Sequence, residues 1–394
     1  MKEGHKRGYI SLYNVFVREC KNLTSRPVNL FCMIIVPLFC TFFFTSLMNK
    51  GLPTDLPVGA VDQDQTSVSR ELLRNLDAFQ QVAVSQRYAD VWQARRAMQR
   101  GDIYGFFYIP KNTTRKALSS RRPTISFYTN GSWFIAGSLL YRDMRTMSEL
   151  TNGAIARESL RAKGYTDDMI QSMLQPIVID THPINNPWLN YSVYLCNTLI
   201  PGVLMLIIFQ ITVYSIGMEL KERTSRDWLR VGNNSIVISL WGKILPYTIV
   251  FFIVGAAIDV YLYKFLQFPC NSGLGPMLFA MLWMILASQA TGVVMIGTFP
   301  TLRYGLCFAS LWGVVSFSVS GFTFPCMAMY PWVQSLAALF PLRHYFLIYV
   351  DQALNGYPMI YSWSSYLALM IFIFLPFIIM SRLKKAMLYY TYMP

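Results

Sequence analysis

Long apolar runs separated by short polar stretches dominate the hydropathy pattern of the chain. Six of these runs approach the roughly 20 residues with which an α-helix crosses about 30 Å of hydrocarbon. They occupy residues 28–48, 193–217, 236–263, 275–298, 304–322 and 359–381. A transmembrane barrel would show short segments of alternating polarity instead. The pattern therefore predicts an α-helical integral membrane protein with six transmembrane helices.

The composition leads to the same class of protein. Of the 394 residues, 54% are apolar and only 14% are charged, whereas soluble domains average about 25% charged residues. A chain with so few charges cannot cover a surface that faces water on all sides. This excludes a purely soluble enzyme.

The placement of the basic residues predicts the orientation. The formal net charge is +14, yet the long polar segment 49–190 holds 17 basic and 13 acidic residues. Most of the excess therefore lies on the short polar segments beside the spans, where lysine and arginine favour the cytoplasmic side. We expect a multi-pass cell-membrane protein with both termini in the cytoplasm and 49–190 outside. The same placement argues against nucleic-acid binding.

Segment 49–190 has the pattern of a folded domain. Strand-like runs occur at 58–61, 82–85, 103–109, 124–128 and 177–181. Helical patterns occur at 68–79, 88–100, 134–163 and 167–175. Alternation of strands with helices is typical of a compact α/β domain. We therefore expect an external α/β domain inserted between the first and second spans, with the remaining five spans in 191–394.

Residues 1–27, which precede the first span, are polar and basic. Apolar side chains recur among them at near-helical spacing, which predicts an amphipathic helix lying on the cytoplasmic membrane surface. A solvated leader is the alternative. The candidate interfacial residues are Phe16, Arg18 and Glu19.

The most distinctive polar segment is 219–232, between the second and third spans. Charges of both signs surround the adjacent pair Trp228 and Leu229. A solvated loop does not need an exposed apolar pair, whereas a short helix that docks into the groove of a partner does. The candidate docking residues are Glu219, Glu222, Arg223, Ser225, Asp227, Trp228 and Leu229.

Segment 323–345, before the last span, is apolar but interrupted by prolines. Such a segment cannot cross lipid as a regular helix, and irregular backbone at membrane depth is tolerated only where protein buries it. The pattern favours one or two short re-entrant helices on the outer side over an ordinary external loop. The residues assigned to this outer segment are Phe322, Phe324, Pro325, Pro331, Gln334, Phe340, Pro341 and His344.

Few charged or reactive side chains lie within the spans. Lys243 and Asp259 lie near opposite ends of the third span, so we expect both to reach the membrane interface. A proton-relay role is the alternative for Asp259. Cys270 and Cys326 both fall on the outer side, where an oxidising compartment would allow a disulfide. The sequence is equally compatible with two free thiols.

Sequence motifs for enzymatic chemistry are missing. The sequence contains no G-x-x-x-x-G-K-[ST] loop for ATP phosphates, no H-E-x-x-H, no C-x-x-C and only three histidines, so these motifs predict neither an ATP site nor a metal site. We expect the chain not to be an enzyme, to have no catalytic residues and to bind no metal or cofactor of its own.

Several stretches resemble, in order, the permease subunits of ATP-binding-cassette (ABC) type 2 exporters. In that family the loop after the second span reads approximately E-R-E-K-G-T-x-E-x-L, and the matching positions here are Glu222, Ser225, Asp227 and Leu229. The stretch that opens the third span, Trp241-Gly-Lys-Ile-Leu-Pro-Tyr247, resembles the family's G-K-x-x-P-Y.

The resemblance extends over nearly the whole chain. Further stretches similar to the family's elements are Phe16-Val-Arg-Glu19 with Arg26-Pro27, Val58-Gly-Ala-Val-Asp62 with Ser69-Arg70, the G-x-x-x-G-x-x-x-I-P run at 101–110, and Ser320-Gly-Phe-Thr-Phe-Pro325 with Phe340-Pro-Leu-Arg-His-Tyr345.

The resemblance implies a permease that forms the translocation path as a homodimer, or as a heterodimer with a related permease, within membrane lipid. It implies that 219–232 is the coupling helix, which contacts a separate ATPase subunit that binds ATP and Mg²⁺. The large external domain resembles the branch that exports drugs and hydrophobic molecules across the bacterial inner membrane. Relatives in that branch often work with an envelope adaptor protein.

Two other functions are compatible with the residues themselves. The chain could be a non-transporting membrane receptor that uses its external domain to bind a ligand. It could instead be a proton-driven secondary transporter, which needs buried carboxylates near the middle of the membrane.

Overall fold

A computed structural model of the chain describes residues 2–119, 121, 123–177, 180–187 and 189–389. The chain divides into two compact units. The helical unit comprises Met1–Asn49 and Pro183–Pro394, and the α/β unit comprises Lys50–His182. The α/β unit therefore begins within one residue and ends within eight residues of the bounds predicted for the separate domain, 49–190.

Two helices precede the α/β unit. Helix α1 spans Lys2–Ser25 and α2 spans Pro27–Leu47. The break between them falls at Arg26, whose backbone is extended (φ −118°, ψ 86°), because the ring of a following proline disfavours helical geometry. Pro27 then starts α2, where its missing N–H leaves no hydrogen bond unmade.

The α/β unit consists of β1 (Leu56–Asp62), α3 (Ser67–Asp77), β2 (Val82–Arg87), α4 (Val91–Arg100), β3 (Gly105–Ile109), α5 (Thr113–Leu118), β4 (Ser126–Thr129), α6 (Phe134–Ala162) and α7 (Asp167–Leu174). Strand order in the sheet is β2-β1-β3-β4. The first three strands are parallel and β4 is antiparallel to β3. The four strands overlap the first four predicted runs, while the fifth, 177–181, falls partly outside the described residues.

The helical unit continues with α8 (Tyr191–Lys221), the short α9 (Ser225–Val231), α10 (Ile236–Phe265), α11 (Leu274–Thr298) and α12 (Leu302–Val319). It ends with α13 (Pro331–Ala337), α14 (Pro341–Tyr349) and α15 (Met359–Tyr389). Within the described residues, six helices are long and apolar enough to cross a membrane: α2, α8, α10, α11, α12 and α15. The six predicted spans therefore correspond to six helices of sufficient length and apolar composition.

Apolar packing places α8 and α11 at the centre of the helical unit. In each of these helices 72% of the most apolar 18-residue window is buried, against 22% in α2 and 28% in α15. Interior helices therefore have little surface left for lipid, whereas α2 and α15 expose large apolar side chains such as Phe39 and Ile378. That division is the one expected when lipid is the solvent.

Candidate coupling site

The short helix α9 is held by a tight reversal of the chain after α8. Arg223 takes the left-handed conformation (φ 61°), and the N–H of Thr224 donates to the carbonyl of Glu219 at 3.0 Å. After α9, Asn233 and Asn234 are also left-handed (both φ 55°), a conformation that asparagine tolerates better than most residues. These two reversals set α9 across the ends of α8 and α10.

Trp228 and Leu229 face the interior of the protein. Their exposed fractions are 0% and 1%, respectively, and the indole Nε1 of Trp228 donates to the carbonyl of Ser239 at 3.2 Å. The prediction that this pair forms an exposed anchor for a partner is therefore wrong. In α9 one face packs against the end of its own helical bundle. This packing produces the same sequence pattern as a helix that docks onto a partner protein.

Ser225 is also internal, because its hydroxyl donates to the carbonyl of Met387 in α15 at 2.8 Å. The outward face of α9 and its preceding turn is polar. Its exposed members are Glu222, Arg223, Arg226, Asp227 and Arg230. Asp227 and Arg230 form an exposed ion pair at 3.5 Å.

Directly inside α9 lies a network of four charged side chains, of which Glu19, Glu219 and Lys243 are buried and Arg18 is half-buried. Lys243 on α10 donates from Nζ to Glu19 Oε2 at 2.8 Å and to Glu219 Oε1 at 3.1 Å. Arg18 on α1 donates to both oxygens of Glu219, at 2.8 and 3.0 Å. Two cations therefore balance two carboxylates, and the network connects α1, α8 and α10.

Neutral donors complete the hydrogen bonding of the two carboxylates. The hydroxyl of Tyr247 donates to Glu19 Oε1 at 2.8 Å, and the hydroxyl of Thr224 donates to Glu219 Oε2. Buried carboxylates require such partners, since an unpaired charge in an apolar interior is strongly destabilising. The turn before α9 is thereby bonded directly to the network.

Lys243 is 1% exposed, so the expectation that it reaches the membrane interface is wrong. Its ammonium lies 5.0 Å from the centre of the Trp228 ring, within the range of a cation–π interaction. The indole thus covers the network from the side of α9.

Arg18 experiences two opposing effects. Partial burial lowers the pKa of its guanidinium, but the hydrogen bonds and negative charge of Glu219 outweigh burial and hold that pKa above its ordinary value. The two parallel N–H···O contacts are the bidentate geometry that fixes an arginine relative to a carboxylate.

Close packing brings α1 to the network. A Cβ atom at Gly242 would lie 2.8 Å from Val15 Cβ and 3.1 Å from the carbonyl oxygen of Leu12, so only glycine permits this approach of α1 to α10. Glu19 is 1% exposed and Phe16 is half-buried. One face of the predicted interfacial helix therefore packs against its own bundle, and its location on a membrane surface stays a prediction.

A cavity of about 110 Å³ borders the network. Its lining includes Asn22, Asn29, Tyr214, Ser215 and Met218 as well as the charged residues. At its edge, Arg26 donates to Glu222 at 2.7 Å, forming an exposed ion pair.

The outer segment contains two short helices, α13 and α14, each beginning at a proline. Phe322, Phe340 and Pro341 are buried, whereas Phe324, Pro325 and Pro331 are exposed. Gln334 and His344 are half-buried and contact the carbonyls of Met329 and Ala338, respectively. That the outer segment 323–345 re-enters the membrane stays a prediction.

Cys270 and Cys326 are free thiols. The thiol of Cys270 donates to the carbonyl of Gly273 at 3.2 Å, while Cys326 packs beside the cluster of Val319, Ala337 and Phe340. The two cysteines belong to different packing environments, so the structure contains no disulfide between them.

Asp259 lies inside the helical unit. It is 1% exposed and its Oδ2 has no hydrogen-bond partner, so the expectation of an interfacial position is wrong. Within the described part of the chain, no group of three or more His, Cys, Asp or Glu side chains is arranged to hold a metal ion.

Sequence reasoning missed Lys243 and Tyr247 as site residues. A usable signal was present, because Arg18 and Glu19 on one side and Lys243 and Tyr247 on the other lie in two stretches that resemble the same family. The negative charge of Glu19 and the positive charge of Lys243 could have been predicted to form an ion pair between these two stretches.

One comparison identifies the family. The family model described as "ABC-2 family transporter protein" matches residues 28–382, which include α9, Glu219 and Lys243 but not α1. No individually curated protein is significantly similar to the chain. The match covers the α/β unit and most or all of each of the six long apolar helices, ending within α15, and the chain therefore belongs to the ABC-2 family as the membrane component, or permease, of an ABC transporter.

Proposed function

We propose that this permease is one half of an ATP-driven exporter and that separate ATPase subunits drive it through α9. The observation that carries the proposal is the network of Arg18, Glu19, Glu219 and Lys243, which joins α1, α8 and α10. The hydroxyl of Thr224, in the turn directly before α9, donates to Glu219 and so connects α9 to this network. A force applied to α9 would reach two spans through these bonds.

The contact with the ATPase is assigned to the polar outward face of α9. Arg223, Asp227 and Arg230 are exposed there, while Trp228 beneath them is fixed in the interior. The partner would bind ATP and Mg²⁺, and closure of two ATPase subunits would move α9. Because α9 is hydrogen-bonded at Ser225, Trp228 and Thr224, it would carry the spans as a rigid body.

The proposal extends to the dimer, the orientation, the substrate class and a further partner, which the sequence pattern and the family resemblance suggest. Two permeases, identical or related, would enclose the path. Both termini would lie in the cytoplasm, and the α/β unit would lie outside the inner membrane of a bacterium. A drug-like or hydrophobic molecule suits a path built from apolar helices, and an envelope adaptor protein is a further partner. Membership of a transporter family favours this function over a receptor or a proton-driven carrier.

The test is co-purification of the ATPase and measurement of ATP hydrolysis with Asp227→Arg. Reversing this exposed charge should reduce ATPase binding about tenfold or more, since like charges across an interface are strongly unfavourable, and should leave the thermal unfolding midpoint unchanged. Glu149→Arg is the matched control, because Glu149 is an exposed acidic residue of the α/β unit.

Full ATPase binding and full hydrolysis by Asp227→Arg and by Arg230→Glu would show that α9 is not the coupling surface. Loss of binding by Glu149→Arg to the same extent would mean that the effect is not specific to α9.

A further inference from the structure

The polar cavity beside the charged network lies where α1 passes into α2. Its volume is about 110 Å³, and its lining includes Arg26, Asn29, Tyr214 and Glu222. Arg26 and Glu222 form the ion pair at its edge, and both of their side chains are more than a third exposed. The cavity can therefore be reached from outside the chain.

One buried amide in the lining has no hydrogen bond. Asn29, in the first turn of α2, is 5% exposed, and its backbone N–H donates to the carbonyl of Arg26 at 3.0 Å. Among the described residues, neither the oxygen nor the nitrogen of its side-chain amide has a partner, and the side chain lines the cavity. Because both ends of the amide are unpaired, this holds whichever way the amide is turned.

Other asparagines of the helical unit show the usual arrangement. Asn186 donates from Nδ2 to the carbonyl of Asn190 and accepts from its N–H at Oδ1, both at 2.9 Å. Asn22, which also lines the cavity, donates from Nδ2 to Glu19 at 3.3 Å. Buried amides are normally satisfied in this way. Asn29 differs because its partners have to come from whatever occupies the cavity.

The charges of the lining limit the net charge of an occupant. Three cations and three carboxylates line the cavity, so their charges cancel. They are Arg18, Arg26, Lys243, Glu19, Glu219 and Glu222. A net-charged ligand would bring an uncompensated charge into this balanced set, and such a charge is costly in a partly buried site. A neutral or zwitterionic ligand brings none.

The ion pair at the edge has binding capacity left. Both oxygens of Glu222 accept from Nη2 of Arg26, so the pair uses one of the three guanidinium nitrogens. A guanidinium has five N–H donors and a carboxylate has about four acceptor positions. An anionic oxygen can therefore join Arg26, and an ammonium can join Glu222, without separating the pair.

The surface beside Arg26 suits a ligand with an apolar tail. Val28 and Phe31, near the start of α2, are 68% and 55% exposed, and α2 is long and apolar enough to cross a membrane. The cavity is larger than the roughly 30 Å³ of one water but smaller than the pockets of about 300–1,000 Å³ that enclose drug-sized molecules. These features fit a small polar headgroup inside and an apolar tail along α2.

We propose that this cavity binds a zwitterionic phosphoethanolamine group, with its phosphate at Arg26, its ammonium at Glu222 and an ester or hydroxyl oxygen at the Asn29 amide. The group can belong to phosphatidylethanolamine of the membrane, whose acyl chains would lie along α2, or to a soluble phosphoethanolamine ester. The proposal does not depend on the coupling of α9 to an ATPase.

The first test places the full-length protein in nanodiscs of equal parts phosphatidylethanolamine and phosphatidylglycerol. In one sample the first lipid carries a diazirine in its acyl chain near the glycerol, and in the other sample the second lipid carries it, so the membrane composition stays the same. Labelled peptides are mapped by mass spectrometry. Phosphatidylglycerol has the phosphate but no ammonium, and it is net-charged.

We expect phosphatidylethanolamine to label residues 27–35 about fivefold more than phosphatidylglycerol, from the usual strength of one partly exposed hydrogen bond or ion pair. Residues 374–378 of α15, which include the exposed Phe377 and Ile378, serve as the reference and should be labelled equally by both lipids. Equal labelling of 27–35, or a preference for phosphatidylglycerol there, would overturn the proposal.

Variants then test the named side chains. Arg26→Glu combined with Glu222→Arg keeps an ion pair at the edge but reverses its charges, so it should abolish the preference for phosphatidylethanolamine. Asn29→Leu removes the unpaired amide and should reduce the preference. Lys21→Met is the control, because Lys21 is an exposed cation of α1, and it should keep the preference. A full preference in the folded charge-reversed variant would contradict the assignment. The comparison of the two lipids in the wild-type protein needs no variant to fold.

A last arm identifies the source of the headgroup. Soluble glycerophosphoethanolamine is added at increasing concentration to the wild-type protein in the same nanodiscs. Loss of the preference at 27–35, with the labelling of α15 unchanged, supports a soluble ligand. A preference that persists supports the membrane lipid. If 27–35 shows no preference and the soluble ester has no effect, water alone fills the cavity and the site is refuted.

Discussion

Two ion pairs connect the N-terminal segment to the end of α8, one inside the protein and one at its surface. Arg18 meets Glu219 at 2.8 Å, with side chains 25% and 6% exposed. Arg26 meets Glu222 at 2.7 Å, with side chains 36% and 43% exposed. The carboxylates are three residues apart on the chain, and the distances are nearly equal. Burial is the main difference.

That difference determines what each pair does. In the interior, removing one partner leaves the other charge desolvated and uncompensated. At the surface, water and salt solvate whatever charge is left, so the pair contributes little. The inner pair also shares Glu219 with Lys243 and Thr224, whereas the Glu222 carboxylate, among the described residues, pairs with Arg26 alone. We therefore assign the mechanical connection between α9 and the spans to the inner network.

The largest expected effect comes from Lys243→Met. This change leaves Glu19 and Glu219 buried with Arg18 as the remaining cation near them, and breaking a buried pair costs about 3–5 kcal/mol. We expect the free energy of unfolding, measured in mixed micelles, to fall by about 4 kcal/mol. Lys264→Met is the control, since Lys264 is an exposed lysine at the end of the same helix. Equal stability of the two variants would show that the network does not hold the bundle.

The second prediction concerns Trp228, whose indole packs over the charged network. Trp228→Ala removes a fully buried indole, its hydrogen bond to Ser239 and its contact with the Lys243 ammonium. Large-to-small changes of this kind cost about 3–5 kcal/mol. We expect a loss of about 3 kcal/mol in the free energy of unfolding, accompanied by loss of ATPase coupling.

The control for that variant is Trp92→Ala on α4, because Trp92 is 66% exposed. If Trp228→Ala retained wild-type stability and lost only ATPase binding, the indole would be an interface anchor and its burial in the chain would be irrelevant to coupling.

The contrast between Trp228 and the spans shows what the sequence could reveal. The six spans were predictable because about 20 consecutive apolar residues have one stable arrangement in a membrane. The strands of the α/β unit were predictable from short strand-like runs for a similar local reason. Each of these signals is contained within one segment.

Burial of a single residue depends on segments far away in the chain. Trp228 and Leu229 looked like an exposed anchor because nothing near them in sequence covers them, yet α10 and its neighbours do. Lys243 was expected to reach water, but its partner Glu19 is 224 residues away. The prediction of a short helix within 219–232 agrees with α9, whereas which of its faces is free required the packed structure.

The third prediction concerns a buried carboxylate with less compensation than Glu219. Asp143 on α6 is 4% exposed, its Oδ2 has no partner, and Arg142 lies 3.5 Å from its Oδ1. Burial raises the pKa of Asp143 above its ordinary value, while Arg142 partly opposes the shift. A raised folded-state pKa means that stability is greatest below the unfolded pKa and is lost as pH rises through the folded pKa.

At neutral pH the ionised Asp143 therefore destabilises the fold. We expect Asp143→Asn to increase the free energy of unfolding by about 1 kcal/mol at pH 7 and to have less effect as pH falls toward 4. Glu149→Gln, an exposed change on the same helix, should show no such pH dependence. A gain that is constant from pH 4 to pH 7 would point to packing and not to charge.

The smallest effect is expected at the surface pair. Glu222→Gln keeps the shape of the side chain and removes the charge that faces Arg26 at 2.7 Å. Because both side chains are more than a third exposed, water solvates the remaining guanidinium, and the free energy of unfolding should fall by no more than about 0.5 kcal/mol. Added salt should weaken even this contribution, since exposed pairs are screened.

Glu219→Gln is the matched change three residues earlier, and it should cost several times more because Arg18 and Lys243 both lose the charge that balances them. Measuring the two variants side by side, at low and high salt, separates burial from geometry. Similar losses for both would mean that contact distance alone sets the strength of these pairs, and the inner network would lose its special place in the coupling of α9 to the spans.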